Sequence, residues 1–234
     1  IAPVYSPPSI GADAMNDVPV PPDEPAVASS EMAGTSPAVP AAATSSGYPV
    51  NLEMDHQEEY SRFLPIIKWL LLIPQYFVYF FVVIGAMFVA FAAFFAVLFT
   101  AKYPRGMWDY MVGVQRWGLR LNAYGYFATD KYPPFTLQET PEDTVRLFAE
   151  YPEHVSRWRA LFAWLVGIPY FIVAYVVIII GQICSFFGFF TILFTKKLPL
   201  GLFDMIRKAM LWSTRAGFYM YFMSVVYPPF DWDE

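Results

Sequence analysis

The chain of 234 residues is 57% hydrophobic and 20% aromatic but only 15% charged, against roughly 25% charged in a typical soluble domain. Its net charge of −5 gives no basic surface for a nucleic acid, and its single cysteine, Cys184, excludes an intrachain disulfide or a cysteine-built metal cluster. The balance suits an integral membrane protein better than a packed soluble core, and the fold class expected from the elements along the chain is all-α.

Residues 1–47 are rich in Pro, Ala and Ser and carry no apolar periodicity. Such a segment buries too little surface to offset its ordering entropy. It orders only where something outside holds it, so the expectation is a tail lying along another membrane subunit. The chain starts at Ile1 rather than Met, as expected of a processed or incomplete N-terminus, and lacks the charged start and apolar run of a secretory leader.

The next element is an apolar run, Leu64–Thr100, with Lys68 as its only charge. Near its end, Lys68 can snorkel to the interface. As one helix the run is about 55 Å long at ~1.5 Å per residue, against a hydrocarbon core of ~30 Å. One upright span is too long, and two full spans are slightly too short. Two readings remain: a hairpin of short helices turning near Gly85, or an interfacial helix broken at Pro74 and followed by one tilted span. Pro104 ends the run, and Gly106 introduces a second helix with Asp109 in its first turn, where a carboxylate complements the helix dipole. Asp109, Arg116 and Arg120 share a face, and Trp108, Met111, Val112 and Leu119 lie away from it. This is an amphipathic helix suited to the headgroup layer or to packing on its own hairpin. Tyr132-Pro133-Pro134-Phe135 closes the unit, since paired prolines forbid helix continuation and favour an extended exit.

Everything from 61 to 135 then recurs at 156–230 without a gap, with 28 of 75 positions identical. Polar positions are among them: Lys102 with Lys197, Asp109 with Asp204, Trp117 with Trp212, Arg120 with Arg215, and the second Tyr-Pro-Pro-Phe at Tyr227, Pro228, Pro229 and Phe230. The chain therefore divides into a tail (1–47) and two membrane repeats (48–147 and 148–234). The second apolar run, Leu161–Thr195, has no charge at all. Of the 15 Lys and Arg residues, one precedes the first run, eight lie between the runs and five follow the second. Single spans would divide these almost evenly across the membrane, whereas hairpins turning near Gly85 and Gly181 put them all on one side, as the positive-inside rule favours. The expected architecture is two tandem repeats, each a helical membrane hairpin plus an amphipathic interfacial helix, multi-pass with both termini cytoplasmic. The hairpins, being short, need not fully cross.

The segment "LFTAKYPRGMWDYMVGVQRWGLRLNAYGYFATDKYPPF" resembles the signature of a bacterial membrane family called domain of unknown function 4389. The likeness lies in Leu98–Thr100, Tyr103–Gly106, Asp109, Arg116–Arg120 and Tyr132–Phe135. The second copy departs from the pattern at Leu198 and Leu211 but keeps Arg215 and its Tyr-Pro-Pro-Phe. The resemblance implies a multi-span protein of the bacterial inner membrane and supplies no reaction.

The residues themselves offer little chemistry. His56 and His154 read as solvated flank residues, with a cross-repeat metal site the weaker reading. The apolar runs contain no histidine to hold a haem and no acidic residue to carry an ion, so no cofactor, metal or catalytic set is expected. Cys184 reads as a small buried hydrophobe, and Gln75 and Gln182 as cross-helix hydrogen-bonding groups. The basic residues Lys102, Arg105, Arg116, Arg120, Lys196, Lys197, Arg207, Lys208 and Arg215, with Trp117 and Trp212, are candidates for lipid headgroup contact or simple topology-setting charge. The two Tyr-Pro-Pro-Phe segments are candidate partner-docking or interface-anchoring sites. The leading expectation is a non-catalytic accessory or scaffold subunit of a larger bacterial membrane complex, with bound lipids. The alternatives are a lipid-binding or membrane-shaping hairpin protein and a small transporter or channel component.

Overall fold

A computed structural model describes residues 47–232. The tail, and with it the expected contact to a partner subunit, lies outside the described residues. Six elements follow in order: β1 (Val50–Met54), α1 (Leu64–Thr100), α2 (Arg105–Gly125), β2 (Val145–Ala149), α3 (Arg157–Thr195) and α4 (Leu200–Met220). The described chain is mostly helical, with one two-stranded antiparallel ribbon that the all-α expectation lacked.

Each apolar run is one continuous helix, which corrects the expected hairpins. Neither Gly85 nor Gly181 leaves helical geometry, because no described glycine has positive φ and nothing around them supplies turn chemistry. Their missing side chains serve close packing instead. A Cβ at Gly85 would lie 2.7 Å from the Tyr110 hydroxyl of α2, and one at Gly181 would lie 2.4 Å from Ala209 Cβ of α4. Pro74 and Pro169 also sit inside the helices without ending them. The real punctuation follows Thr100 and Thr195, where Ala101 and Lys196 adopt left-handed φ and cap the helices, and Pro104 and Pro199 then lead into α2 and α4. Asp109 is the fifth residue of α2, just past the first turn in which it was expected, and accepts from Arg105 at 3.2 Å.

The duplication extends into the ribbon. β1 and β2 lie at the same 95-residue offset as the helices, so β2, which straddles the expected boundary at 147/148, belongs to the second copy. Leu52 pairs with its own counterpart, Leu147. Outward from that pair the contacts come in exchanged twins. Asp55 N–H donates to the Thr144 carbonyl and Glu150 N–H to the Pro49 carbonyl, both at 2.9 Å; Tyr60 N–H donates to the Lys196 carbonyl at 2.9 Å and Val155 N–H to the Ala101 carbonyl at 3.0 Å. A local two-fold axis therefore relates the copies. The start of α1 lies beside the end of α3 and the reverse, so the long helices run antiparallel. Each strand packs on the other copy's second helix, β1 on α4 and β2 on α2.

Candidate membrane interface

The inward face of α1 is a stripe at helical spacing: Pro65, Lys68, Leu72, Gln75, Ala86, Ala93 and Val97 are buried. On α3 the corresponding stripe is mostly small, from Ala160 and Ala163 through Gly167, Ala174 and Gly181 to Gly188, which lets α4 approach closely. The remaining circumference of both helices points outward and, between the helix ends and apart from Gln182 on α3, is apolar, as at Phe77, Phe88 and Phe99 on α1 and Ile172, Phe186 and Phe194 on α3. A large contiguous apolar face of this kind marks an interaction surface. Both helices are long and apolar enough to cross a membrane. Exposed tryptophans sit toward the helix starts, Trp69 on α1 and Trp158 and Trp164 on α3.

The candidate headgroup residues separate into two groups. Lys102, Arg105, Lys196 and Lys197 are exposed at the ends of the long helices. Arg105 also lies over the Tyr151 ring, its guanidinium 4.5 Å from the centroid. Arg207 and Lys208 are less exposed and pair with Asp204 at 2.9 and 3.4 Å. Burial works against the Asp204 carboxylate, but the two cations outweigh it and hold its pKa below the usual value.

The others are buried or nearly so, which corrects their expected headgroup contact and leaves the packing reading of α2 and α4. Trp117 and Trp212 are buried; Trp117 donates to Gln75 Oε1 at 3.0 Å, and Trp212 stacks on Tyr170 with centroids 5.2 Å apart. Arg116 reaches the Leu137 carbonyl and Glu139, and burial lowers its pKa against the pull of that carboxylate. Arg120 and Arg215 are staples across the two-fold. Arg120 binds Asp143, just before β2, and the Thr136 and Gln138 carbonyls. Arg215 binds the Val50 carbonyl and Asn51 Oδ1 in β1 and lies over the Tyr48 ring. Tyr48 and Asp143 are themselves counterparts in the two copies.

The two Tyr-Pro-Pro-Phe segments clip each long helix to its shorter partner. Tyr132 donates to the Leu71 carbonyl at 3.2 Å, the Pro133 carbonyl accepts from Gln75 Nε2, and Phe135 lies on Trp117. In the second copy Tyr227 packs on Tyr219, and Phe230 on Tyr170 and Trp212. Pro133 and Pro228 are buried, Pro134 and Pro229 half-buried, and Tyr132, Phe135 and Phe230 keep part of their rings exposed. Gln75 thus makes the expected cross-helix bonds, whereas Gln182 is exposed on α3.

Lys68 does not snorkel. It is 1% exposed, forms a 2.8 Å ion pair with Asp130 and donates to the Thr129 carbonyl at 2.7 Å. Its counterpart is Ala163, and that of Asp130 is Val225, so the two charges vanish together in the second copy. That joint loss was the sequence signal for the pair. His56 Nε2 donates to the Leu198 carbonyl at 3.0 Å and meets the Phe203 ring edge-on. Tyr151 does the same with the Tyr103 carbonyl and Trp108 in the other copy, so His56 is a structural group. His154 is exposed and Cys184 partly buried against the core. An open cleft of about 420 Å³ beside the first Tyr-Pro-Pro-Phe holds Arg120 and Lys131, both already paired, with Asp143 and Glu142. Among the described residues no three His, Cys, Asp or Glu side chains gather as metal ligands.

Comparison with known proteins gives one family. No curated protein and no solved structure matches the chain. The family described as Domain of unknown function (DUF4389) matches twice, over residues 65–136 and 157–231. These segments take in both long helices, both shorter helices and both Tyr-Pro-Pro-Phe clips, and together they cover more than half of the sequence. The chain belongs to the DUF4389 family, of which it carries two tandem copies.

Proposed function

We propose that this is a non-catalytic, membrane-associated protein of the bacterial inner membrane that binds lipid through the α1–α3 layer and shapes the bilayer it occupies. The observation that carries the reading is the long outward apolar face of the 37- and 39-residue helices, interrupted between their ends by Gln182 alone among the described residues. Exposed cations at the helix ends suit anionic headgroups, each worth ~1 kcal/mol near a charged surface. The buried ionisable groups support a structural role, because Lys68, Arg120 and Arg215 each hold a neighbouring segment in place.

The test is reconstitution into phosphatidylethanolamine–phosphatidylglycerol vesicles, followed by flotation and electron microscopy. The expected result is co-flotation that withstands alkaline carbonate, with vesicles narrowing or tubulating as protein is added. A protein that stays monodisperse in detergent-free buffer and does not float sinks the reading. The accessory-subunit role is the second reading, favoured by the part-exposed aromatics of the two clips. Changing Pro133 and Pro134 to Ala separates the two: loss of a co-purifying partner with intact membrane insertion supports docking, and loss of insertion as well supports a structural clip.

A further inference from the structure

From the way their ends are tied, we infer that α1 and α3 lie flat within one leaflet of an anionic bilayer and do not cross it; this rests on the membrane reading above. One end of the helix pair is fixed by the Tyr60–Lys196 backbone bond and the other by the Val155–Ala101 bond. Those two points are joined through the ribbon. Five residue steps lead from Tyr60 back to Asp55, whose N–H meets the Thr144 carbonyl, and eleven lead from Thr144 along β2 to Val155. Sixteen residue steps reach at most about 55 Å at ~3.3–3.6 Å each, and bends at Glu58 and Glu153 shorten that, so the strap has no slack against the ~55 Å of a 37-residue helix. The strap is therefore drawn out alongside the pair from one end to the other.

That strap is polar. Glu53, Asp55, Glu58, Glu59, Glu150 and Glu153 along it are exposed. Upright helices would drag these carboxylates through the hydrocarbon core, where ionisable groups are expensive and non-helical backbone is tolerated only inside protein or beside water. Length agrees: fitting ~55 Å of apolar helix into a ~30 Å core needs a tilt of roughly 57°, beyond the ~0–40° seen for spanning helices. Charge agrees as well. Because the helices are antiparallel, Arg62, Lys196 and Lys197 mark one end, and Lys102, Arg105 and Arg157 the other. Upright helices would put equal charge on both sides of the membrane; flat ones put all of it on the cytoplasmic face, as the positive-inside rule favours. The strap, α2 and α4 then face the cytoplasm, and the outward apolar layer faces the acyl chains.

The test uses the full chain with Cys184→Ala and single cysteines at Ser61, Lys102, Ser156 or Thr195, all exposed helix-end positions. Each variant is labelled with a membrane-impermeant maleimide in intact spheroplasts and in inverted vesicles. The expected result is that all four label from the cytoplasmic side only. If Ser61→Cys and Thr195→Cys label from one side and Lys102→Cys and Ser156→Cys from the other, the helices cross and the inference falls while the membrane reading stands. If the protein is recovered in the aqueous fraction, both fall. Either end-to-end pair decides the matter alone, so one variant that fails to fold does not spoil the test.

Discussion

Lys68 holds its ammonium between the Asp130 carboxylate and the Thr129 carbonyl with almost no water contact, while the second copy has Ala163 and Val225 at the same two places. Removing one partner of a buried pair strands the other charge, which costs about 3–5 kcal/mol. Lys68→Ala is therefore expected to lower the melting temperature in mild detergent sharply, and Lys68→Ala with Asp130→Val, the natural pairing of the other copy, to recover most of the loss. Tyr60 offers a pH signature. Its hydroxyl donates to the Ala128 carbonyl at 3.0 Å, and burial pushes its pKa up from 10.0 to about 12. The unfolded chain ionises there first, so this contribution is complete below pH 10 and is lost as pH rises toward 12. Tyr60→Phe should lower stability by a pH-independent amount of about 1–3 kcal/mol at neutral and acid pH, through the lost hydrogen bond, and flatten the alkaline limb of stability against pH. At this scale the sequence was partly legible. Gln75 read correctly as a cross-helix group, but Trp117 and Trp212 did not read as interior, because nothing local distinguishes an interfacial tryptophan from one covered by a distant clip.

For the elements, glycines separate close approach from open space. Gly181 lets α3 and α4 touch, so Gly181→Leu should overpack that seam and cost about 1–3 kcal/mol. Gly106 has nothing within 4 Å of its missing Cβ, and Gly106→Ala should stabilise α2 by up to about 1 kcal/mol. Thermal unfolding of the two variants side by side checks both signs. The helical runs, their ends near Thr100 and Thr195, and the proline-led second helices were all readable from residue type. The hairpins were inferred from helix length and charge balance together, and both have another solution once the helix does not stand upright. Residues 55–60, which tie the helix ends to the ribbon, offered no such clue, since short polar linkers carry no periodicity to betray their partners.

In the whole molecule, the gapless repeat was plain, but the two-fold that arranges it was not. β1 and β2 share only Val50 with Val145 and Leu52 with Leu147, too little to extend the alignment, and pairing across 95 residues leaves no local trace. The arrangement can be checked directly. In a Cys184→Ala background, Ala101→Cys with Val155→Cys and Tyr60→Cys with Lys196→Cys should each form a disulfide, because both pairs are joined by a backbone hydrogen bond. Formation at one end only would contradict the exchanged contacts.

The exchanged ties also bear on how such a chain arises and is made. Neither copy is complete alone: its strand has an open edge, and the carbonyl that caps its long helix awaits a donor from the other copy. During synthesis the Tyr60 backbone N–H has no partner until Lys196 has left the ribosome, so the first half stays unfinished while nearly all of the second is added. A chain carrying one copy would find the missing half in a second molecule of itself. Tandem duplication therefore fixes within one polypeptide what would otherwise be a homodimer.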